Sequence, residues 1–561
     1  MRGPTRTTAV AVAAASLAAA CSQGGGHAAG RPVPADAKVG GTLRVAITRP
    51  GALDPATAYE PAGLQVLSVV CEPLLQHDPV TGKQSTGQAT FSIVTNRGGQ
   101  LTVRLRQGVR YQSGGKVTAS DVVEQLSRVA RVDTASYVAD VLSGVKGYDV
   151  THGLTDTDNA EALKHLSGVT PLSDASFAIS LSPGNSSFLS TLSTTLAAPV
   201  PRGAAGRSSF ASHPLCSGPY QLTADWKPTD PTITVRRFAH YYGQSAVFTR
   251  GGRGYADTIV FSTYRSRAAG VAAFVAGRVD LAELPDDLLG RPVPAGAEQV
   301  SAPNGTVEYV GLPNGDPDKD VFSRPAVHVA LSRALDRVAL GGAAYGGGSL
   351  PATSFVPPTV ADTYRSDVCG DALPGSADLV GAQAALRAAG TSLDGRTLTL
   401  AYSDEERNAA LAQSIAAQWK AAFGLRVTLA PMAWSDFEQQ ANSTGGFRGA
   451  YLEGWQSRVP SADGYLAPLF GSAAVGTTNF AHYVDASFER NLKQAREAMT
   501  DSGARLDYQD LERSLCTSLP LIPLVDRQWH YLVRASAVGS AVGSFTDQAT
   551  GLLDLRETYL H

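Results

Sequence analysis

The stretch between Arg396 and Met432 constrains this chain more than any other. "RTLTLAYS" (396–403) reads as a strand. From Arg407 to Phe423 the pattern turns helical, with Leu411, Ile415 and Trp419 four apart on one face. Gly424 ends that helix, and "LRVTLAPM" (425–432) is a second strand. Strand, helix and strand at this spacing make a βαβ unit, which implies parallel pairing and a right-handed crossover. The fold class that follows is α/β with some antiparallel strands.

Other segments alternate in the same way. In "GGTLRVAITRPGALDP" (40–55), Leu43, Val45 and Ile47 have the period of a half-buried strand, which Pro50, Gly51 and "LDP" end. "LTVRLRQGVRY" (101–111) alternates through Leu101, Val103 and Leu105. In "KVTASDVVEQLSRVARV" (116–132), Thr118 and Asp121 approach a capping box, and Val122, Leu126 and Val129 share a helical face. "SRPAVHVALSRALDRVAL" (323–340) predicts one helix capped by Ser323, with Pro325 in its first turn. Its apolar stripe is Val327, Leu331, Ala334, Leu335 and Val338. No repeat of 20–50 residues is present.

A chain of 561 residues is too long for one small core and predicts two or three lobes. A net charge of −3 and the lack of any long Lys/Arg run exclude nucleic acid as the expected partner. Motifs of chemistry are missing: no G-x-S-x-G, no H-E-x-x-H, no Walker loop and no G-x-G-x-x-G. "GGAAYGGGSLP" (341–351) lacks the Lys-Ser/Thr end of a phosphate loop and reads as a turn. The histidines, His240 and His482 among them, are scattered. No catalytic residue, metal or cofactor is therefore expected.

The first residues have another purpose. Arg2 and Arg6 precede an alanine-rich run of twelve, Ala9 to Ala20. That is short of the ~20 residues a bilayer span needs, but it fits a secretory signal peptide over 1–20. Ala18, Ala19 and Ala20 lead to Cys21 in a pattern that resembles a bacterial lipobox, although Leu17 lies one place further back than usual. An ordinary cleaved signal with an incidental cysteine is the alternative. On the first reading Cys21 is lipidated, and the Gly/Pro-rich residues 21–39 tether the body to a membrane, with a reach of roughly 25 Å. Cys71, Cys216, Cys369 and Cys516 form no C-x-x-C pair. They permit one or two disulfides, with three connectivities for two bridges, or stay as isolated thiols.

The order of several segments resembles the extracytoplasmic solute-binding proteins of ABC importers, in the cluster that includes dipeptide- and oligopeptide-binding members. The segments are "GGTLRVA" with "LDP", "CEPLL" (71–75), "LRQGVRYQSGGKVTASDVVEQLSRV" (105–129), "CSGPYQL" (216–222), "AAFVAGRVDLAELP" (272–285) and "FSRPAVHVALSRALDR" (322–337). The resemblance covers Gly40 to about Arg534. It implies a periplasmic-binding-protein-like fold of type II: two lobes joined by two hinge strands, plus an extra subdomain. The boundaries it implies are 40–58 with 199–303 and 525–561 for lobe I, 59–198 for the subdomain and 304–524 for lobe II. It further implies a monomeric, lipid-anchored receptor on the extracytoplasmic face of the cell membrane. Such a receptor closes on a small-molecule or peptide ligand and docks on ABC permease subunits. A non-peptide solute, a sensory or chaperone-like binding role, and a secreted hydrolase are the other readings.

The same resemblance points to "GWQSRVPSADGYLAPLF" (454–470) as cleft lining. In peptide-binding members the acidic residue three after the tryptophan pairs with the ligand's α-ammonium. Here that residue is Arg458, whose fork of donors suits a carboxylate or another anion. The other readings for Arg458 are a solvent-facing side chain or a pair with Asp463, the nearest replacement acid. Trp455 offers a flat apolar wall and one donor. Tyr59 and Glu60 match ligand-facing positions, and Glu60 is a candidate for the amine. Tyr451, Glu453 and Tyr465 flank the tryptophan as further candidates. Gly218, Pro219 and Tyr220 read as structural.

Overall fold

The structure, a computed structural model, describes residues 31–93, 99–155, 157–181, 185–207, 209–315, 320–443, 445–498 and 501–561. The predicted signal peptide, Cys21 and residues 22–30 lie outside the described residues. Nine strands carry the argument: β1 (Thr42–Thr48), β2 (Thr232–Arg237), β3 (Thr258–Tyr264), β4 (Leu281–Glu283), β5 (Glu298–Gly311), β6 (Thr397–Ser403), β7 (Arg426–Met432), β8 (Ala450–Gln456) and β9 (Leu521–Val533). All lie in one eleven-stranded sheet, in the order β7-β6-β8-β5-β9-β4-β1-β3-β2, ending in Tyr220–Leu222. The β6–β7 pair is parallel, from Thr397 opposite Arg426 to Ser403 opposite Met432, with the helix Glu406–Phe423 between them in sequence. This is the βαβ unit, and Gly424 ends its helix in the left-handed region at φ 68°.

Two long strands cross from one half of the sheet to the other. Glu298–Pro303 of β5 pairs with Gln528–Val533 of β9, and Val307–Gly311 pairs with Leu521–Asp526. Between Pro303 and Val307 the ladder breaks. Gly305 sits in that break at φ 83°, where a Cβ would come within 3.1 Å of the Tyr465 hydroxyl. The interruption divides the sheet into two lobes joined by a pair of backbone crossings, the type II binding-protein architecture. Lobe I buries Val45, Phe261, Ile259 and Val235 in one core. The sheet of lobe II is covered on both faces, by a cluster around Trp419, Ile415 and Leu400 and by another around Phe437, Tyr451 and Tyr465. Two covered faces are what parallel strands require.

An additional core lies between β1 and β3 in sequence. It holds a four-stranded sheet, Ala89–Ile93, Gln100–Leu105, Ser176–Ser180 and Val169–Ser173, against the helix Ala119–Ala130. Thr118 and Asp121 cap that helix reciprocally, and Val122, Leu126 and Val129 are fully buried. Arg128 from the same helix holds Asp54 of the "LDP" turn through two bonds, of 2.7 and 2.6 Å. A bidentate pair of this kind fixes geometry as well as charge.

The predicted helix over 323–340 is two helices. Arg324, not Ser323, is the N-cap of Pro325–Arg333, and Asp336 restarts the chain by accepting from the Ala339 N–H at the head of Arg337–Tyr345. The break turns Val338 out to 60% exposure, so the stripe ends at Leu335. Asp336 was available as a cap and won over continued periodicity. The four cysteines pair as Cys71–Cys216 and Cys369–Cys516, enclosing 145- and 147-residue separations. Residues 31–39 of the predicted tether are held against the body: Arg31 pairs with Asp78, Asp36 accepts from the Tyr559 hydroxyl at 2.8 Å, and Lys38 bridges Leu560. Among the described residues no helix is long and apolar enough to cross a membrane.

Candidate functional site

Strand direction places the site. β4 runs antiparallel to β9 with Glu283 opposite Tyr531, so its carboxyl end is the one nearer the break in the crossing strands. β1 runs parallel to β4. In lobe II, β8 runs from Tyr451 opposite Gly311 to Gln456 opposite Thr306, and β6 runs parallel to it. The carboxyl ends of strands in both lobes therefore converge on the hinge. In open α/β sheets, ligands bind in the crevice outside such ends.

Trp455 lies at that end of β8, partly exposed, and its indole N–H donates to the Gly464 carbonyl at 2.8 Å. The bond closes the loop 457–464 over the strand end. Gln456 Nε2 donates to the Asn304 carbonyl at 2.6 Å, and the Tyr465 hydroxyl donates to the Gly305 carbonyl at 2.7 Å. The loop is thus tied directly to the hinge. Tyr451 and Tyr465 are each 1% exposed. They are core residues of lobe II, Tyr451 packing with Tyr309, Phe447 and Phe480, and neither forms a wall of the cleft. Asp463 is engaged inside lobe II and with the subdomain: it accepts from Arg496 Nε at 2.6 Å, the Tyr508 hydroxyl at 3.0 Å and Asn185 Nδ2 at 3.3 Å. It does not meet Arg458.

Arg458 pairs instead with Asp140 of the subdomain at 3.1 Å, the two side chains being 48% and 65% exposed. Tyr59 stacks obliquely on Tyr137, three residues from Asp140, with ring centroids 4.3 Å apart. One short subdomain stretch, 137–140, therefore touches both Tyr59, just ahead of the helix Pro61–Val70, and Arg458 of lobe II. Nothing in the sequence of that stretch signals such a role. Glu60 is the N-cap residue of the helix Pro61–Val70 but makes no capping bond, and one of its carboxylate oxygens is buried without a partner. Tyr220 donates its hydroxyl to the Ala256 carbonyl and is fully buried, in keeping with a structural role.

Sequence reasoning missed a charged cluster on the other side of Trp455. Arg527, from β9 at the crossing, lies 3.8 Å from Glu308 of β5 and 4.0 Å from Asp286. Asp286 also meets Arg407 of lobe II at 3.5 Å, and Arg407 reaches Glu405 at 3.6 Å. The Tyr345 hydroxyl donates to Glu308 at 2.8 Å, and the Arg527 guanidinium lies over its ring, 5.3 Å from the centroid. Arg267 pairs with Glu283 at 2.6 Å. Among the described residues, Glu453, on β8 two residues before Trp455, accepts only the N–H of Gly454, at 3.1 Å. Burial pushes its carboxyl up to about 8; the Gly454 bond opposes this and the carboxylates of Glu308 and Glu405 reinforce it. These residues come from seven separated segments, so no local motif gathers them.

A cavity of about 420 Å³ opens between the subdomain and lobe II, lined among others by His77, Gln84, Thr359, Asp362, Ser461 and Arg505. Its volume lies in the range of small-molecule sites. Burial holds the His77 imidazole down at about 4, so it is neutral there, and its Nε2 lies 3.1 Å from the Ser193 hydroxyl. The cavity shares Pro460, Ser461 and Ala462 with the loop that the Trp455 bond closes, and no lining residue with the charged cluster. Strand direction and the hinge make the crevice at Trp455 one candidate for the cleft, and the cavity lies next to it. Among the described residues no group of His, Cys, Asp and Glu is placed to hold a metal ion.

Three comparisons bear on this geometry. The family model for bacterial extracellular solute-binding proteins, family 5, matches residues 90–477, more than half of the chain. The glutathione-binding protein GsiB of Salmonella typhi is 26% identical over 450 residues, covering 77% of this chain and 78% of that protein. Among solved structures, the periplasmic murein tripeptide binding protein MppA in its unliganded open form aligns with a TM-score of 0.77 at 21% identity, covering 94% of this chain and 99% of that one. HbpA2 from Haemophilus parasuis aligns with a TM-score of 0.74 at 20% identity, covering 93% and 100%.

Proposed function

The chain belongs to the bacterial extracellular solute-binding proteins of family 5, and on that premise we propose that it captures a peptide or peptide-like solute between its lobes and delivers it to an ABC permease. The observation that carries this reading is the interrupted pair β5 and β9. The lobes are joined at this level by two backbone crossings, and the ladder between them is broken where the strand ends converge. A carrier needs two states that differ in ligand affinity, not a stabilised transition state. A hinge beneath a cleft supplies them.

The names of the matched proteins support the ligand class, since one binds glutathione and another a murein tripeptide. We further propose that Cys21 carries a lipid and that residues 22–30 link it to the docked segment at Arg31. A receptor held close to its permease gains effective concentration without new contacts. Tyr59, Glu60 and Trp455 are the residues proposed to face the solute, with 40–58, 199–303 and 525–561 as lobe I, 59–198 as subdomain and 304–524 as lobe II.

One experiment tests the reading: mass spectrometry of material that stays bound through native purification, from cells expressing the protein with and without Cys21→Ala. The expected result is short peptides or peptide-like molecules, recovered intact from both, with only the Cys21 form in the membrane fraction. A protein that returns cleaved products, or that retains only non-peptide solutes, overturns it.

A further inference from the structure

We infer that the cavity between the subdomain and lobe II is a second binding site, apart from the crevice at Trp455, for a small monoanionic carboxylate with a polar body, and that Arg505 holds the carboxylate. The inference goes beyond the solute reading above and does not depend on it. The walls come from both sides of the hinge. His77 and Gln84 belong to the subdomain, whose root is joined to the lobe I core by Cys71–Cys216. Thr359, Asp362, Ser461 and Arg505 belong to lobe II. A direct bond spans the gap, from the Gln84 N–H to Asp362 at 3.2 Å. The volume of about 420 Å³ exceeds what an inorganic ion alone fills and suits a small molecule.

Arg505 comes from the helix Asp501–Leu515. Its Nε is buried without a hydrogen-bond partner, and among the described residues its guanidinium has no ion pair. A buried donor left unpaired is costly, and a carboxylate answers a guanidinium through two parallel bonds. Thr359 is 4% exposed, and its hydroxyl too is buried without a partner, the Tyr465 hydroxyl beside it being given to the Gly305 carbonyl. The other titratable groups of the cavity set the ligand's charge. Tyr508 gives its hydroxyl to Asp463, and burial keeps the His77 imidazole neutral. Asp362 is a carboxylate in the same cavity, so each further negative charge on the ligand adds repulsion. A monoanion is therefore favoured over a phosphate group, which carries about 1.5 to 2 charges at neutral pH. Asp362 and the Ser461 hydroxyl leave hydrogen-bonding capacity for polar groups on the rest of the molecule. A ligand held by both walls ties the subdomain to lobe II, so its binding favours the lobe arrangement seen here.

The test is isothermal titration calorimetry of the full-length protein with D-gluconate, with its neutral counterpart D-gluconamide and with inorganic phosphate. The wild type is expected to bind gluconate about 10- to 100-fold more tightly than gluconamide, the range for hydrogen bonds to a charged group, and more tightly than phosphate. Arg505→Gln is expected to bring gluconate within about threefold of gluconamide while keeping a cooperative melting transition. Equal binding of gluconate and gluconamide by the wild type overturns the inference, as does binding of neither; this arm needs no variant. A preference for gluconate that survives in Arg505→Gln places the carboxylate elsewhere and also overturns it. Tighter binding of phosphate overturns the assignment to a monoanion. The peptide reading is judged by the co-purified solute and stands apart from each of these outcomes.

Discussion

Glu453 and Arg458 stand on either side of Trp455, and the structure treats their charges in opposite ways. Arg458 is half exposed and paired across to the subdomain, in water that screens both partners. Glu453 is drawn into the strand end, with no cation paired to it among the described residues and with Glu308 and Glu405 nearby. By sign alone, Arg458 stands out, because it reverses the family's usual acid. Burial reverses that ranking: water satisfies one charge, whereas the other is costly to form and the group stays protonated instead.

Removing Trp455 is the largest way to break the contrast, since the indole holds both flanks in place. Trp455→Ala loses the bond to the Gly464 carbonyl and the packing against the lobe II core. It is expected to destabilise the protein by about 2–3 kcal/mol, below the range for a fully buried tryptophan, measured by urea denaturation. A loss under 1 kcal/mol would show that the loop 457–464 does not depend on the indole.

The next effect is one of pH. The Glu453 carboxyl, at about 8 in the folded state, lies above its unfolded value near 4.3. The native state therefore holds a proton that the unfolded chain releases. Stability from this group is complete below about pH 4.3 and is lost as pH rises toward 8. Wild-type protein should lose more melting temperature between pH 5.5 and 8 than Glu453→Gln does. Glu72 and Glu512, also raised by burial to about 7, slope the same way in both proteins, so the difference between the two curves isolates Glu453. Parallel curves would show that Glu453 is ionised throughout.

Arg458→Ala should have the smallest consequence: under ~1 kcal/mol in stability, vanishing in 0.5 M salt, with ligand affinity changed by less than about threefold. A tenfold loss of affinity for carboxylate-bearing peptides would return Arg458 to the cleft.

The sequence showed whatever repeats at short range. The β6–helix–β7 unit was legible because periodicity and the stop at Gly424 agree over consecutive residues. The Thr118–Asp121 cap was legible for the same reason. The break at Asp336 was missed, because an apolar stripe continues across it and capping competes with periodicity within a single turn. The site was harder to read. Trp455 could be placed near the hinge, but the partners of Arg458 and Asp463 come from Asp140, Arg496 and Tyr508, and the charges around Glu453 come from five segments. Which ion pairs form is settled by tertiary approach, and spacing along the chain carries no trace of it. The same limit left three cysteine connectivities open where the structure shows Cys71–Cys216 and Cys369–Cys516.

The Cys71–Cys216 bond has a consequence of its own. It joins the end of the helix Pro61–Val70 to the turn before Tyr220, so the excursion across a sequence separation of 145 leaves and rejoins the core around Val45 and Phe261 at one covalent clasp. In the chain-entropy account, a closure of this length restricts the unfolded chain by about 5 kcal/mol. The clasp fixes the two points at which the excursion departs from and returns to the neighbourhood of the main sheet. Tyr137 and Asp140, which touch Tyr59 and Arg458, belong to that insert, so these contacts are carried by a segment anchored covalently at its base.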